Sequence, residues 1–319
     1  MKKIYYLPNR LSNTLYSYEY LCELNEMLKD HHQTKIRLSL KSTTFIQPNL
    51  IAVLGFIIEN AKLNGNSIIL CDLQPQIKTL LKNYQFIEKT SLNKEHYMPY
   101  KTFKHSELQA FDLYIESALT YIKDIKLKDL IKTRLTEIFV NGVNHGILNP
   151  TANEKKKVIE STKFNDLDVK QPLNAETEYL EQIAEGALSD KMSVYSSKVQ
   201  RLGEVYVCGT INLSCDWLFI TIVNRGATFY ENVESVYPKI KNYERYECIK
   251  WAMEPFNGTK KRPGVGLSVI TKELYFKGGY CYCISGDGYY EIKKKKGHSM
   301  PFYLNGTIMT LGFPLKNLV

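Results

Sequence analysis

The sequence predicts two units of different class: an α/β domain over residues 1–105, then an α+β sandwich over residues 106–319. Three observations predict this. Strand and helix patterns alternate through the first unit. In the second, two long helical patterns precede a run of strands. A chain of 319 residues is also about two domains long, at roughly 150 residues each. The apolar fraction of 44% and the charged fraction of 24% are those of a globular chain, with too much apolar surface for a disordered one.

Each element has its own signal. Lys35–Leu40 alternates apolar and basic residues, as a half-buried strand does. Pro48 suits a first helical turn, Leu50 to Lys62 carries the helical apolar pattern, and Gly65 is a stop. Ser67–Cys71 reads as a short buried strand, and Gln76–Tyr84 as a helix opened by Pro75. In the second unit, Glu107–Ile125 and Leu127–His145 read as helices separated by a short break. Residues 150–202 form a polar, lysine-rich insertion with one helix expected at Ala175–Leu188. Val205–Cys208 and Trp217–Val223 read as strands, and Glu244–Met253 and Gly266–Phe276 as helices. Tyr280–Ser285, Tyr289–Lys293 and Thr307–Phe313 complete the expected sheet. No internal repeat is present.

Composition excludes several functions. The longest apolar run, Leu50–Ile58, is about half of the roughly 20 residues a spanning helix needs, so no membrane association is expected. The first residues hold two lysines but no apolar stretch of secretory length, which points to the cytoplasm. Seven irregularly spaced cysteines make a poor disulfide framework. Cys281 and Cys283 would share one face of a strand, as small buried hydrophobes. The net charge of +9 is compatible with a nucleic-acid partner, but the lysines are scattered. The one dense run, Lys293–Lys296, reads as a solvated tip, so a nucleic-acid partner is the lesser expectation.

Four short signals in the second unit carry chemistry. Glu137, Asn141 and Asn144 are spaced by four and three, which places a carboxylate and two amides on one helical face. Oxygen donors so arranged suit Mg²⁺, which binds few protein ligands and keeps several waters. Asn224-Arg225-Gly226 ends an apolar strand, where glycine lets a ligand approach the backbone. Thr259, Lys260, Lys261 and Arg262 precede Gly264, Gly266 and Leu267 at a helix start, where exposed amides and the helix dipole favour an anion. Asn305-Gly306-Thr307 opens the last strand.

In this order the four signals resemble the GHKL (Bergerat-fold) ATPases, the superfamily of gyrase, the heat-shock chaperone and the histidine kinases. The first looks like the family's glutamate–asparagine box and the second like its adenine-binding box. The third looks like its second glycine box, and the last strand like its closing strand. The resemblance implies ATP and Mg²⁺ as cofactors. It makes Glu137 the catalytic group acting on an attacking water or hydroxyl, and Asn141 the Mg²⁺ ligand. Asn224 would face the adenine amino group, with Gly226 making room for the base and Thr307 near it. Gly264 and Gly266 would cradle phosphates under a lid carrying Thr259, Lys260, Lys261 and Arg262. The family's aspartate is Asn224 here, and its next glycine is Thr228. An amide oxygen still accepts from adenine but without charge assistance, and its NH₂ could turn to a guanine carbonyl.

Residues 35–86 resemble a STAS domain, the fold of anti-sigma-factor antagonists, through strand, T-F-I turn, helix, N-G, strand and a short helix ending in an aromatic. That family's phosphorylatable serine is absent: Gln47-Pro48-Asn49 occupies the position. The expected function is an ATP-binding regulatory switch that acts on a protein partner, such as a small STAS-like protein. Two alternatives stand beside it: a serine/threonine kinase resembling the anti-sigma-factor kinases, and an interaction module with a vestigial site.

Overall fold

A computed structural model describes residues 2–88, 97–143, 204–212, 216–234, 237–255, 257 and 266–315. The expected helix at Ala175–Leu188 and the rest of the insertion lie outside the described residues. The chain opens with β1 (Lys2–Tyr6), β2 (Arg10–Leu11) and α1 (Leu15–Lys29), followed by β3 (Lys35–Ser39) and β4 (Phe45–Ile46). A 3-10 turn at Pro48–Leu50 leads into α2 (Ile51–Leu63), then β5 (Ser67–Cys71) and α3 (Pro75–Asn83). Strands β1, β3 and β5 form a parallel sheet in that order, and β2 pairs with β4.

The second part contains β6 (Tyr97–Lys104), α4 (Leu108–Ala118), α5 (Ile125–Asn141), β7 (Glu204–Asn212) and β8 (Trp217–Arg225). It continues with α6 (Phe229–Glu234), α7 (Arg245–Met253), α8 (Gly266–Phe276), β9 (Tyr280–Glu291) and β10 (Lys296–Pro314). Its sheet is antiparallel, in the order β6-β7-β8-β10-β9. Residues 97–104, which the sequence divides into the first unit, thus form the edge of the second sheet. Pro99 cannot donate to a ladder, and the β6–β7 register shifts between Met98 and Lys101, which an edge position accommodates.

The second sheet is buried on both faces. Along β7, Val205 and Val207 pack with Phe111, Leu135 and Phe139 of α4 and α5, whereas Tyr206 and Cys208 pack with the first unit. The same alternation separates Ile222 from Val223 and Met309 from Ile308. The order of layers is therefore small parallel sheet, α1 with α2, antiparallel sheet, and the helices of the second part. Helix α2 lies between two sheets, which is why its run Ile51–Ile58 is buried throughout rather than along one stripe.

Polar side chains cross this junction. Tyr18 of α1 donates to Thr310 Oγ1 at 2.8 Å, and Asn49 Nδ2 donates to Thr221 Oγ1 at 2.7 Å. Thr221 and Thr310 are themselves 2.7 Å apart, and all four residues are fully buried. Fully satisfied, such a network fixes the register of one layer on the next.

Several expectations change in detail. The pattern Glu107–Ile125 resolves into α4 and a 3-10 turn at Leu119–Tyr121, and α5 ends at Asn141. The two short strands expected at 280–293 are one strand, and the last strand begins eleven residues earlier than Thr307 because the β9–β10 ribbon is long. Strand β5 is an edge strand with no fully buried residue, not the buried strand its apolar run suggested. Lys293–Lys296 lies at the exposed turn of the ribbon, as expected. Helix α1 had a legible signal, with Tyr18, Leu21, Cys22, Asn25 and Leu28 on one buried face and Thr14 capping its start.

Candidate functional site

Asn224 sits at the end of β8, only 6% exposed. It pairs with Thr307 on β10 and with Val205 on β7. Thr307 in turn pairs with Ser285 on β9, and their hydroxyls are 2.9 Å apart. Ser285 Oγ also accepts the Phe229 N–H at 2.9 Å, which fastens α6 beside the strand ends. The β9–β10 register shifts twice between Ser299 and Thr307, so the ladder is broken where these groups converge. Gly306 has φ +154°, and a Cβ there would stand 2.2 Å from the Asn224 carbonyl oxygen, so only glycine passes.

The C-terminal end of α5 reaches the same place. Gly142 follows Asn141, and a Cβ on Gly142 would lie 3.1 Å from Asn224 Oδ1. Asn224 Nδ2 is 3.4 Å from the Arg225 carbonyl oxygen. Asn141 is half-buried. Glu137 is one turn earlier, and Arg134 Nη1 holds both of its oxygens, at 2.9 and 3.0 Å. Helix α8 begins at Gly266 and packs on α5; Leu130 and Arg134 line one narrow groove with Ile270 and Leu274. Leu267 is half-buried against that core.

The structure therefore brings the end of α5, Asn224 and Thr307 to one point, with Gly226 (φ +116°) just beyond on the loop. Asn144, Thr259, Lys260, Lys261, Arg262 and Gly264 lie outside the described residues. Among the described residues no cluster of histidine, cysteine, aspartate and glutamate could hold a metal ion. Mg²⁺ held mainly through nucleotide phosphates needs no such cluster. The paired amide and hydroxyls suit the edge of a base, which presents alternating donors and acceptors.

Other residues here were not singled out by sequence reasoning. Ser285 gave no local signal, because its partners are on other elements; Arg134 had one, the i,i+3 spacing to Glu137 on a shared helical face. Arg225 lay inside the quoted motif without a role. Its guanidinium is 3% exposed and projects to the opposite face of the sheet, donating to Asn60 Oδ1 of α2 at 2.5 Å and to the Tyr206 hydroxyl at 3.0 Å. Burial pushes the Tyr206 phenol up, and Arg225 partly offsets this. Burial likewise raises the Cys281 and Cys283 thiols, which lie in the helix-side core as the spacing suggested. No helix among the described residues is long and apolar enough to cross a membrane.

Comparison of the chain with protein-family models, with curated proteins and with solved structures finds no match.

Proposed function

We propose that the chain is a nucleotide-binding regulatory protein of GHKL type, which takes ATP with Mg²⁺ at the junction of α5, β8 and β10 and answers to a protein partner. One observation carries this reading: three segments far apart in sequence, singled out for the same chemistry, meet around Asn224. Gly142 stands against its amide, and Thr307 pairs with it across the ladder. Asn224 and Thr307 would meet the base. Asn141 would hold Mg²⁺ at the phosphates, whose negative charge the ion offsets. The start of α8 at Gly266 would present backbone amides to an anion.

Arg134 Nη1 donates to both Glu137 oxygens, and each oxygen keeps a further lone pair for a water or a substrate hydroxyl. A titration of ATP, ADP and GTP with Mg²⁺ tests the reading. Saturable ATP binding that Asn224→Ala weakens supports it, and no binding of any nucleotide defeats it.

A further inference from the structure

We infer a second binding site, for a small amphipathic anion, in the cleft between α2, β5, α3 and the start of β6. The cleft holds about 430 Å³ and opens to solvent. That volume is within the range of about 300–1,000 Å³ typical of ligand pockets, and junctions between units are where such pockets concentrate.

One part of its lining is apolar, beside the charged side chains of Glu59, Lys62, Lys78 and Glu88. Ile68, Leu70, Leu73, Phe86, Ile87 and Tyr100 all face it, and each is only half-buried. This is the physical reason that β5 is not buried: its inward-facing residues look onto the cleft instead of onto a neighbouring element. Phe86 and Tyr100 stand edge to face, 4.9 Å between ring centroids. The hydroxyl end of the Tyr100 ring stands against Gly55, whose missing side chain makes the space, since a Cβ there would be 2.3 Å from the ring.

Two polar groups remain available. The Tyr100 hydroxyl makes no hydrogen bond among the described residues, although its backbone N–H is bonded to the Tyr84 carbonyl at 2.9 Å. At the mouth, Lys62 is paired with Glu59 at 2.7 Å, and Glu88 with Lys82 at 2.9 Å. Lys78 is the lining cation that forms no ion pair among the described residues. An apolar wall, a phenol donor and one uncommitted ammonium define the ligand as a short acyl or aryl body with a carboxylate head. The site does not depend on the nucleotide reading, because none of its residues belongs to that region.

Decanoate is the probe, titrated calorimetrically into the full chain, with decyltrimethylammonium as the cationic counterpart. We expect one saturable decanoate site per chain, weakened at least tenfold by Lys78→Glu and abolished by Leu73→Trp, which fills the cleft. Lys126→Glu, an exposed change on α5, leaves it unaltered. Thermal melts establish that each variant is folded. If Leu73→Trp does not fold, Ile87→Trp at the lip takes its place. The inference is overturned if decanoate does not saturate, if its affinity survives both cleft variants, or if the cation binds as tightly.

Discussion

At the scale of the residue, Asn224 concentrates the chemistry. A neutral amide accepts a hydrogen bond worth about 0.5–1.5 kcal/mol, whereas a charged acceptor contributes about 1.5–3 kcal/mol. Asn224→Asp is therefore expected to tighten ATP by about 1 kcal/mol, close to fivefold, in a titration with Mg²⁺ present. If GTP gains equally, the amide is not what reads the base. Gly306 is the second sensitive position. Gly306→Ala combines a positive φ with a Cβ 2.2 Å from a backbone oxygen. A loss of about 1–3 kcal/mol in denaturant unfolding is the expected result, and a neutral substitution would show that the strand end can shift. His105 provides a pH handle. Burial, aided by Lys104, lowers its pKa from 6.5, so the fold prefers the neutral ring. The stability this contributes is present above pH 6.5 and is lost as pH falls through the lowered folded value. His105→Gln should remove that acid-side component from a plot of Tm against pH.

At the scale of the element, α2 and β5 show how one apolar run can mean two things. The run in α2 is buried between two sheets, so Ile57→Ala should cost about 2–5 kcal/mol through lost transfer energy and the cavity left behind. Leu63, at the end of the same helix, is 46% exposed, and Leu63→Ala should change stability by less than about 0.5 kcal/mol. Urea midpoints for the pair measure the contrast directly. The similar run in β5 lies at a sheet edge and faces a cleft. Local composition is the same in kind; position in the sheet decides burial.

At the scale of the whole molecule, the first unit is a structural layer of the second. It covers one face of the antiparallel sheet and is joined to it through Tyr18, Asn49, Thr221 and Thr310. Residues 97–319 expressed alone should expose that face, with Tyr206, Val223 and Ile308 in water, and self-associate. A monomeric, folded fragment in sedimentation would show that the layers are separable. A double-mutant cycle of Asn49→Ala with Thr221→Ala should give a coupling of about 0.5–3 kcal/mol, since the two side chains are 2.7 Å apart and buried. The link from Arg225 to Asn60 joins the residue after Asn224 to the helix that also borders the cleft.

Much of the local structure was legible from the chain itself. Helix α8 has the bounds its glycine start and periodicity indicate, and Thr14, Pro48 and Pro75 begin their helices because capping and fixed φ act locally. Near these motifs, Gly142, which follows Asn141, stands against the Asn224 side chain. What the chain alone did not decide depends on partners remote in sequence. Tertiary contacts paired Ser285 with Thr307, moved residues 97–104 into the second sheet and laid the first unit across it. Hydrogen-bond and apolar partners that lie on different elements leave no periodic trace, so only the packed structure determines them.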